Sequence, residues 1–505
     1  MNTSTQALRA LSPTQVLGIQ RGIEKESLRV LADATLAHTP HPSALGSALT
    51  HPHITTDFSE SQVELITGVH ADVDACLNEL REVHQFTERA LGEEMLWVSS
   101  MPCNLPGDDD IPIGQYGSSN VGRAKTVYRT GLSHRYGRRM QAISGIHYNW
   151  SMPDVSSDAY FGLIRNFRRH AFLLLYLFGA SPAVNSSFVA GRPHQLQSLS
   201  VDTLFLPFAT SLRMGRLGYQ SDAQASLAVS YNSLEGYGNS LQDALTRSYP
   251  PYEAMGVLDA QGNYQQLAST LLQIENEFYG TIRPKRVIFQ GERPLHALRE
   301  RGVEYVEVRL MDLDPFEPVG INSQTIRFLD MFLAHCLETD SPLDTPEEIA
   351  AIAQNQQCVA ERGREPGLQL QRGSGNVALT DWGIELVQAL EPMARQFDVA
   401  HGTQDYTAAL QIAMQGLQRP ETLPSARVLQ VVQKSYAGSF LEFIKVQSVR
   451  TKAAMLQTPL APAVREKLEE QSRTSWQAQH DIEAADTMPF DIYLAEYLSP
   501  RRLRV

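Results

Sequence analysis

The sequence predicts an α+β protein: an antiparallel-type strand and helix mixture in the first two thirds, then a mostly helical C-terminal part. Three observations carry this. Residues 303–311, Val-Glu-Tyr-Val-Glu-Val-Arg-Leu-Met, alternate strictly, as a half-buried strand does. Residues 72–98 repeat apolar positions at three-residue steps (Leu77, Leu80, Val83, Phe86), as one face of a helix does. Beyond about residue 340, runs rich in Ala, Leu, Glu and Gln succeed one another with few strand signals.

In chain order, residues 15–30 read as a strand in which Ile19, Ile23 and Leu28 interleave with charge, and 72–98 as a helix. Pro, Gly and Asp make 102–122 a long loop. A helix near 123–140, a strand near 143–152 and a helix over 158–178 follow. The middle third is looped until the strand 303–311, which Asp312–Pro318 breaks before a helix near 322–338. Helices are expected near 345–360, 383–398, 403–416 and 425–455, and a charged helical tail over 462–498 is broken at Pro489. The preferred division is a catalytic α+β part over 1–340 and a helical part over 341–505 packed on it, with no Gly/Ser linker between them.

Composition narrows the function. The 505 residues are 43% hydrophobic and 20% charged, which suits a folded soluble chain and excludes a disordered one. A net charge of −13 disfavours nucleic-acid binding, which needs a basic surface. Cys76, Cys103, Cys336 and Cys358 form no C-x-x-C pair and read as reduced thiols of a cytoplasmic protein. The first ten residues lack an apolar signal core, and the most apolar run, Ala171 to Ala180, is half a membrane span. No membrane or obligate protein partner is expected. The P-loop, G-x-G-x-x-G, H-E-x-x-H and G-x-S-x-G patterns are absent, so a bound nucleotide would be held by cations and basic side chains.

Carboxylates sit inside the strand-like segments. Glu24 and Glu26 share one face of a strand at period two; Asp57 and Glu64 flank another short strand. Glu307 and Arg309 share a face opposite Val306, Val308 and Leu310, and His147 faces away from Ile146 and Tyr148. Buried carboxylates need a partner, and a hard divalent cation such as Mg²⁺ takes oxygen ligands and joins them to phosphates. Spacing alone leaves two readings open: a nucleotide–magnesium site, or exposed strand faces.

The motifs are specific. They include Gly18-Ile-Gln-Arg-Gly-Ile-Glu-Lys-Glu26, Ala48-Leu-Thr-His51, Ile54-Thr-Thr-Asp-Phe58, Gly122-Arg123, Lys125-Thr126, Tyr128-Arg129, Ile143-Ser-Gly-Ile-His-Tyr-Asn149, Leu177-Phe-Gly-Ala-Ser-Pro182, Tyr305-Val-Glu-Val-Arg309 and Glu483-Ala-Ala-Asp-Thr487. In this set and order the chain resembles the glutamate–cysteine ligases of the gammaproteobacterial type, densely to about residue 335 and thinly from there to Glu483.

The resemblance implies a glutamine synthetase-like fold, an antiparallel sheet curved into a funnel. It implies that ATP phosphorylates the glutamate γ-carboxylate and that the cysteine amine displaces phosphate, giving γ-glutamylcysteine in the first step of glutathione synthesis. It implies Mg²⁺, with Mn²⁺ as an alternative, held by Glu24, Glu26, Asp57, Glu64, His147 and Glu307. It implies Arg309 and Glu26 as catalytic residues, the arginine clamping the transferred phosphoryl group. Arg129 and Arg213 match substrate-side arginines suited to a carboxylate, and Tyr128, Tyr219 and Tyr279 match a cysteine pocket. Feedback by glutathione belongs to the same expectation. The alternatives are a related ligase joining glutamate to another amine, a catalytically dead metal- or nucleotide-binding regulator, and a metal-dependent phosphohydrolase.

Overall fold

The computed structural model describes residues 11–218, 222–225, 227–289 and 291–504. Its centre is a seven-stranded antiparallel sheet built from β1 (Gln20–Val30), β2 (Ile54–Thr56), β3 (Gln62–Ile66), β4 (Met95–Leu96), β5 (Ile146–Ser151), β6 (Ile282–Lys285) and β7 (Tyr305–Met311). The spatial order is β2-β3-β1-β5-β7-β6, and β4 pairs with the far end of β1.

One face of this sheet is apolar. Ile23, Val63, Leu65, Tyr148, Trp150, Val306 and Val308 are fully buried there. Each such side chain removed from water contributes about 1.5–3 kcal/mol. Helix α1 (Val73–Ala90) packs on β1 and β3, and α3 (Ser157–Phe178) on β6 and β7. Between them in sequence, α2 (Asn120–Tyr136) lies beside the β2 edge, its Arg129 guanidinium donating to the backbone carbonyls of Thr56 and Asp57. Helix α4 (Ser323–Glu338) packs on α3 and α1. Most of the apolar run 171–180 lies in the last turns of α3, where residues 171–177 are buried.

Several expected boundaries move, each for a local reason. The strand predicted over 15–30 begins only at Gln20, because Ser12, Gln15 and Pro13 start a short helix over Pro13–Leu17 through a capping box. The helix expected to reach residue 98 stops at Ala90, and Gly92 turns the chain at φ +58 so that Met95–Leu96 pairs with β1. The two long C-terminal helices are each two. Pro392 starts α7 (Glu391–His401) afresh after α6 (Leu379–Ala389), which itself follows α5 (Pro346–Arg362). After α8 (Asp405–Gln418), Ala437 and Gly438, both at positive φ, separate α9 (Pro424–Ser435) from α10 (Phe440–Gln457). The tail is α11 (Pro462–Ala485) and α12 (Phe490–Tyr497). Helix α5 packs on α3, α8 on α4, and α10 and α11 on α1, so one hydrophobic core runs past residue 340 without a break.

Candidate active site

The second face of the sheet carries the carboxylates. Register brings them together: Glu26 stands opposite Glu64, Glu24 opposite His147, and Glu307 between Asn149 and Arg283. In β7 the pairing slips between Val308 and Met311, a bulge that places Arg309 where the ladder is interrupted. Arg309 Nη1 donates to Glu307 Oε2 at 2.9 Å and lies 3.5 Å from His147 Nδ1. His147 Nδ1 is 3.0 Å from Glu24 Oε2, and Asn149 Nδ2 donates to the other Glu24 oxygen at 2.9 Å. The Gly145 N–H donates to Glu26 Oε2 at 2.7 Å.

Two overlapping donor sets result, Glu24–His147–Glu307 and Glu26–Glu64–His147, each with ligand atoms within 4.8 Å of one another. Asp57 sits in the bend after β2, and its charge bears on both Glu26 and Glu64. The inner set is under electrostatic stress. Burial and then the Asp57 charge push the Glu26 carboxyl up to about 8. Burial and repulsion from Glu24, Asp57 and Glu26 hold Glu64 well above the carboxylate range. The outer set is relieved by cations. Burial raises Glu307, but Lys285 at 3.2 Å, Arg309, His147 and Arg283 outweigh it and hold it well below its ordinary value. Burial, then Arg309, lowers His147 against the pull of Glu24 and Glu307.

A divalent cation fits this set on a direct observation. Glu26 Oε1 and His147 Nε2 are both buried, both lack a hydrogen-bond partner, and lie 3.5 Å apart. In the tautomer with its proton on Nδ1, directed at Glu24, His147 keeps a lone pair on Nε2, and Glu26 Oε1 offers a second donor once a cation displaces its proton.

The structure distributes the remaining expected residues unevenly. Arg213 is fully buried; its Nη2 donates to the Arg309 carbonyl at 2.8 Å, and its Nη1 lies 3.8 Å from Asp312. Ser211 Oγ and the Ala180 N–H, at 3.0 and 2.9 Å, fix Asp312 in turn. Arg129 Nη1 donates to the Lys125 carbonyl at 3.0 Å, and the guanidinium lies 4.5 Å over the Tyr116 ring. Tyr128 is half-buried on the same helix. Tyr279 Oη accepts from Gln141 Nε2 at 2.7 Å, and its ring meets Tyr136 edge-on at 5.5 Å. Tyr279 and Arg309 line a cavity of about 610 Å³ together with Met214, Thr281 and Ile352. Tyr219 lies outside the described residues.

Sequence reasoning missed Lys285 and Arg283, the cations on Glu307. They stand on β6, whose Pro284 hides the strand signal; proline is tolerated there because β6 is an edge strand.

The sequence pattern of the glutamate–cysteine ligase family matches residues 6–359. A glutamate–cysteine ligase of Alcanivorax borkumensis is 47% identical, with 97% of each chain covered. One from Azotobacter vinelandii is also 47% identical, over 94% of this chain and 93% of the relative. The crystal structure of a Francisella tularensis glutamate–cysteine ligase in complex with AMP superposes with a TM-score of 0.91 at 38% identity, covering 95% of this chain and 97% of the other. Fold and relatives together make the chain an ATP-dependent ligase of the glutamine synthetase-like superfamily, an enzyme that joins a carboxylate to an amine. It belongs to the glutamate–cysteine ligase family, whose members catalyse the first step of glutathione synthesis, and ATP is its co-substrate.

Proposed function

We propose that the acidic face of the sheet is where glutamate is activated, with Glu24, Glu26, Asp57, Glu64, His147 and Glu307 holding divalent cations, Mg²⁺ foremost. The observation that carries this is the orphan pair, Glu26 Oε1 and His147 Nε2, beside Glu64, the burial and mutual repulsion of Glu26 and Glu64 being what a bound cation would relieve. When bound, the cations supply charge neutralisation for the nucleotide phosphates and the glutamate carboxylate.

The side chains do the rest by position. Arg309, braced by Glu307 and by Arg213 beneath its carbonyl, presents its guanidinium to the γ-phosphoryl group as it transfers from ATP to the glutamate γ-carboxylate. ADP leaves and γ-glutamyl phosphate forms. The cysteine nitrogen then attacks the acyl carbon, the C–O bond to phosphate breaks, and γ-glutamylcysteine and phosphate result. The cavity of about 610 Å³ at Arg309 is of the size that holds a small substrate, and Tyr279 at its wall fits the cysteine side. Residues 1–340 carry the charged groups of this chemistry, while 341–505 buttress them and add Ile352 to the cavity wall. Three fully buried free cysteines and the half-buried Cys358 support a reducing, cytoplasmic setting; no described helix is long and apolar enough to cross a membrane.

The test is a Mn²⁺ titration read by electron paramagnetic resonance, on the wild type and on Glu26→Gln and Glu64→Gln. Loss of bound Mn²⁺ in both variants, with an unchanged circular dichroism spectrum, is expected. Unchanged stoichiometry and affinity in both would remove the inner donor set from the metal site.

A further inference from the structure

The activity calls for a cation that the arginines packed around the carboxylates do not supply. Both amino-acid substrates carry an α-carboxylate, and the acidic face repels it. Arg129 is committed to the carbonyls of Thr56, Asp57 and Lys125. Arg213 is committed to Asp312 and the Arg309 carbonyl, Arg283 to the carbonyls of Asn276 and Phe278, and Lys285 to Glu307. Arg309 is paired with Glu307.

Lys125 differs. It lies on α2 one turn before Arg129 and three residues before Tyr128, on the flank of the site nearest Glu64. Its Nζ stands 5.2 Å over the Tyr116 ring, and among the described residues it makes no hydrogen bond or ion pair. An ammonium taken half out of water without a partner is costly, and a ring face compensates only part of that. Burial, then the Arg129 charge, pulls it down to about 8, with Glu64 the opposing attraction. Cations bound at Glu64 would remove that attraction and leave Lys125 free to take an anion.

We infer that Lys125 is a substrate-binding residue, its ammonium receiving the α-carboxylate of an amino-acid substrate between Tyr116 and the carboxylate cluster. This rests on the site proposed above. The α-carboxylate is common to glutamate and cysteine, and the kinetics separate them. Lys125→Met preserves the length of the stem and removes the charge; Lys125→Arg preserves the charge.

Full-length wild type, shown by mass spectrometry to form γ-glutamylcysteine, is compared with both variants while each substrate is varied in turn. In Lys125→Met, KM for one amino acid is expected to rise roughly 10- to 100-fold, the worth of a charge-assisted hydrogen bond. KM for ATP stays within about twofold, and Lys125→Arg recovers most of the loss. The amino acid whose KM moves is the one whose carboxylate Lys125 holds. Discrimination against the methyl ester of that amino acid, strong in wild type, collapses in Lys125→Met, which a merely structural role would not produce. Unchanged KM for both amino acids, or a fall in kcat alone, overturns the inference. A wild type that forms no γ-glutamylcysteine overturns the functional reading and this inference with it.

Discussion

Asp486 and Asn120 lie 366 residues apart in sequence and clasp each other at the start of α2. One Asp486 oxygen accepts the Asn120 backbone N–H, and the other accepts from Asn120 Nδ2 at 2.6 Å. Glu483, one turn earlier, accepts the Ser118 N–H at 2.8 Å. Two carboxylates therefore sit at a helix N-terminus, where the unpaired N–H groups and the helix dipole favour negative charge. The same α11 holds the loop before β2: Ser47 donates its N–H to Ser475 Oγ at 2.9 Å and its hydroxyl to Gln479 at 2.5 Å. The C-terminal motif thus fixes α2, which carries Lys125, Tyr128 and Arg129, against the strand that leads to Asp57. Asp486→Ala is expected to cost about 1–2 kcal/mol of stability, from the lost clasp and the uncapped N–H. It should also raise KM for the amino acids more than KM for ATP. Thermal unfolding and steady-state kinetics check both, and an unchanged KM for the amino acids would limit the clasp to stability.

Much of this was legible because period-two patterning holds in β1, even though both of its faces are buried. Glu24 and Glu26 share a face wherever the strand lies. What spacing could not give is the register that sets Glu26 opposite Glu64, since that depends on strands distant in sequence. Alternation sends Lys25, between the two glutamates, to the opposite face, but does not reveal the burial it meets there. There it is buried, donates to Ser27 Oγ at 2.8 Å, and is lowered to about 8 by burial against the pull of Glu88. The breaks at Pro392 and Ala437–Gly438 were in the sequence, but helical propensity on both sides masked them.

Gly145→Ala tests the brace under Arg309. A Cβ there would lie 2.1 Å from Arg213 Nη2 and 2.6 Å from its Cζ. Arg213 is fully buried, so it moves only by giving up Asp312 or the Arg309 carbonyl. We expect kcat to fall at least about tenfold, with about 1–3 kcal/mol lost from stability by overpacking. Unchanged kcat would show that the arginine's position does not matter to the reaction.

Tyr279→Phe keeps the ring against Tyr136 and removes the oxygen that accepts from Gln141. If the tyrosine serves cysteine, KM for cysteine rises about tenfold while KM for ATP holds. A rise in KM for ATP instead would assign the cavity at Arg309 to the nucleotide.

The charge stress on Glu26 predicts a pH dependence of stability that cations should cancel. The folded chain holds a proton on Glu26 up to about pH 8, whereas an unfolded glutamate releases it near 4.5. The folded state binds the extra proton between those values. This contribution is complete below about pH 4.5 and is lost as pH rises through about 8. Glu64, raised in the same direction, adds to it. Glu24 and Glu307 are lowered, so they act in the acid range and leave this window alone. His147 and Lys25 titrate with the opposite sign, so the clean readout is a difference between proteins. Without divalent cations, melting temperature should fall more steeply from pH 5.5 to 8.5 in wild type than in Glu26→Gln. Millimolar Mg²⁺ should raise wild type strongly at pH 8.5, where it meets ionised carboxylates, and little at pH 5.5, where it must displace protons. Parallel melting curves for the two proteins, with equal Mg²⁺ effects at both pH values, would show that Glu26 neither carries the strain nor meets the cation.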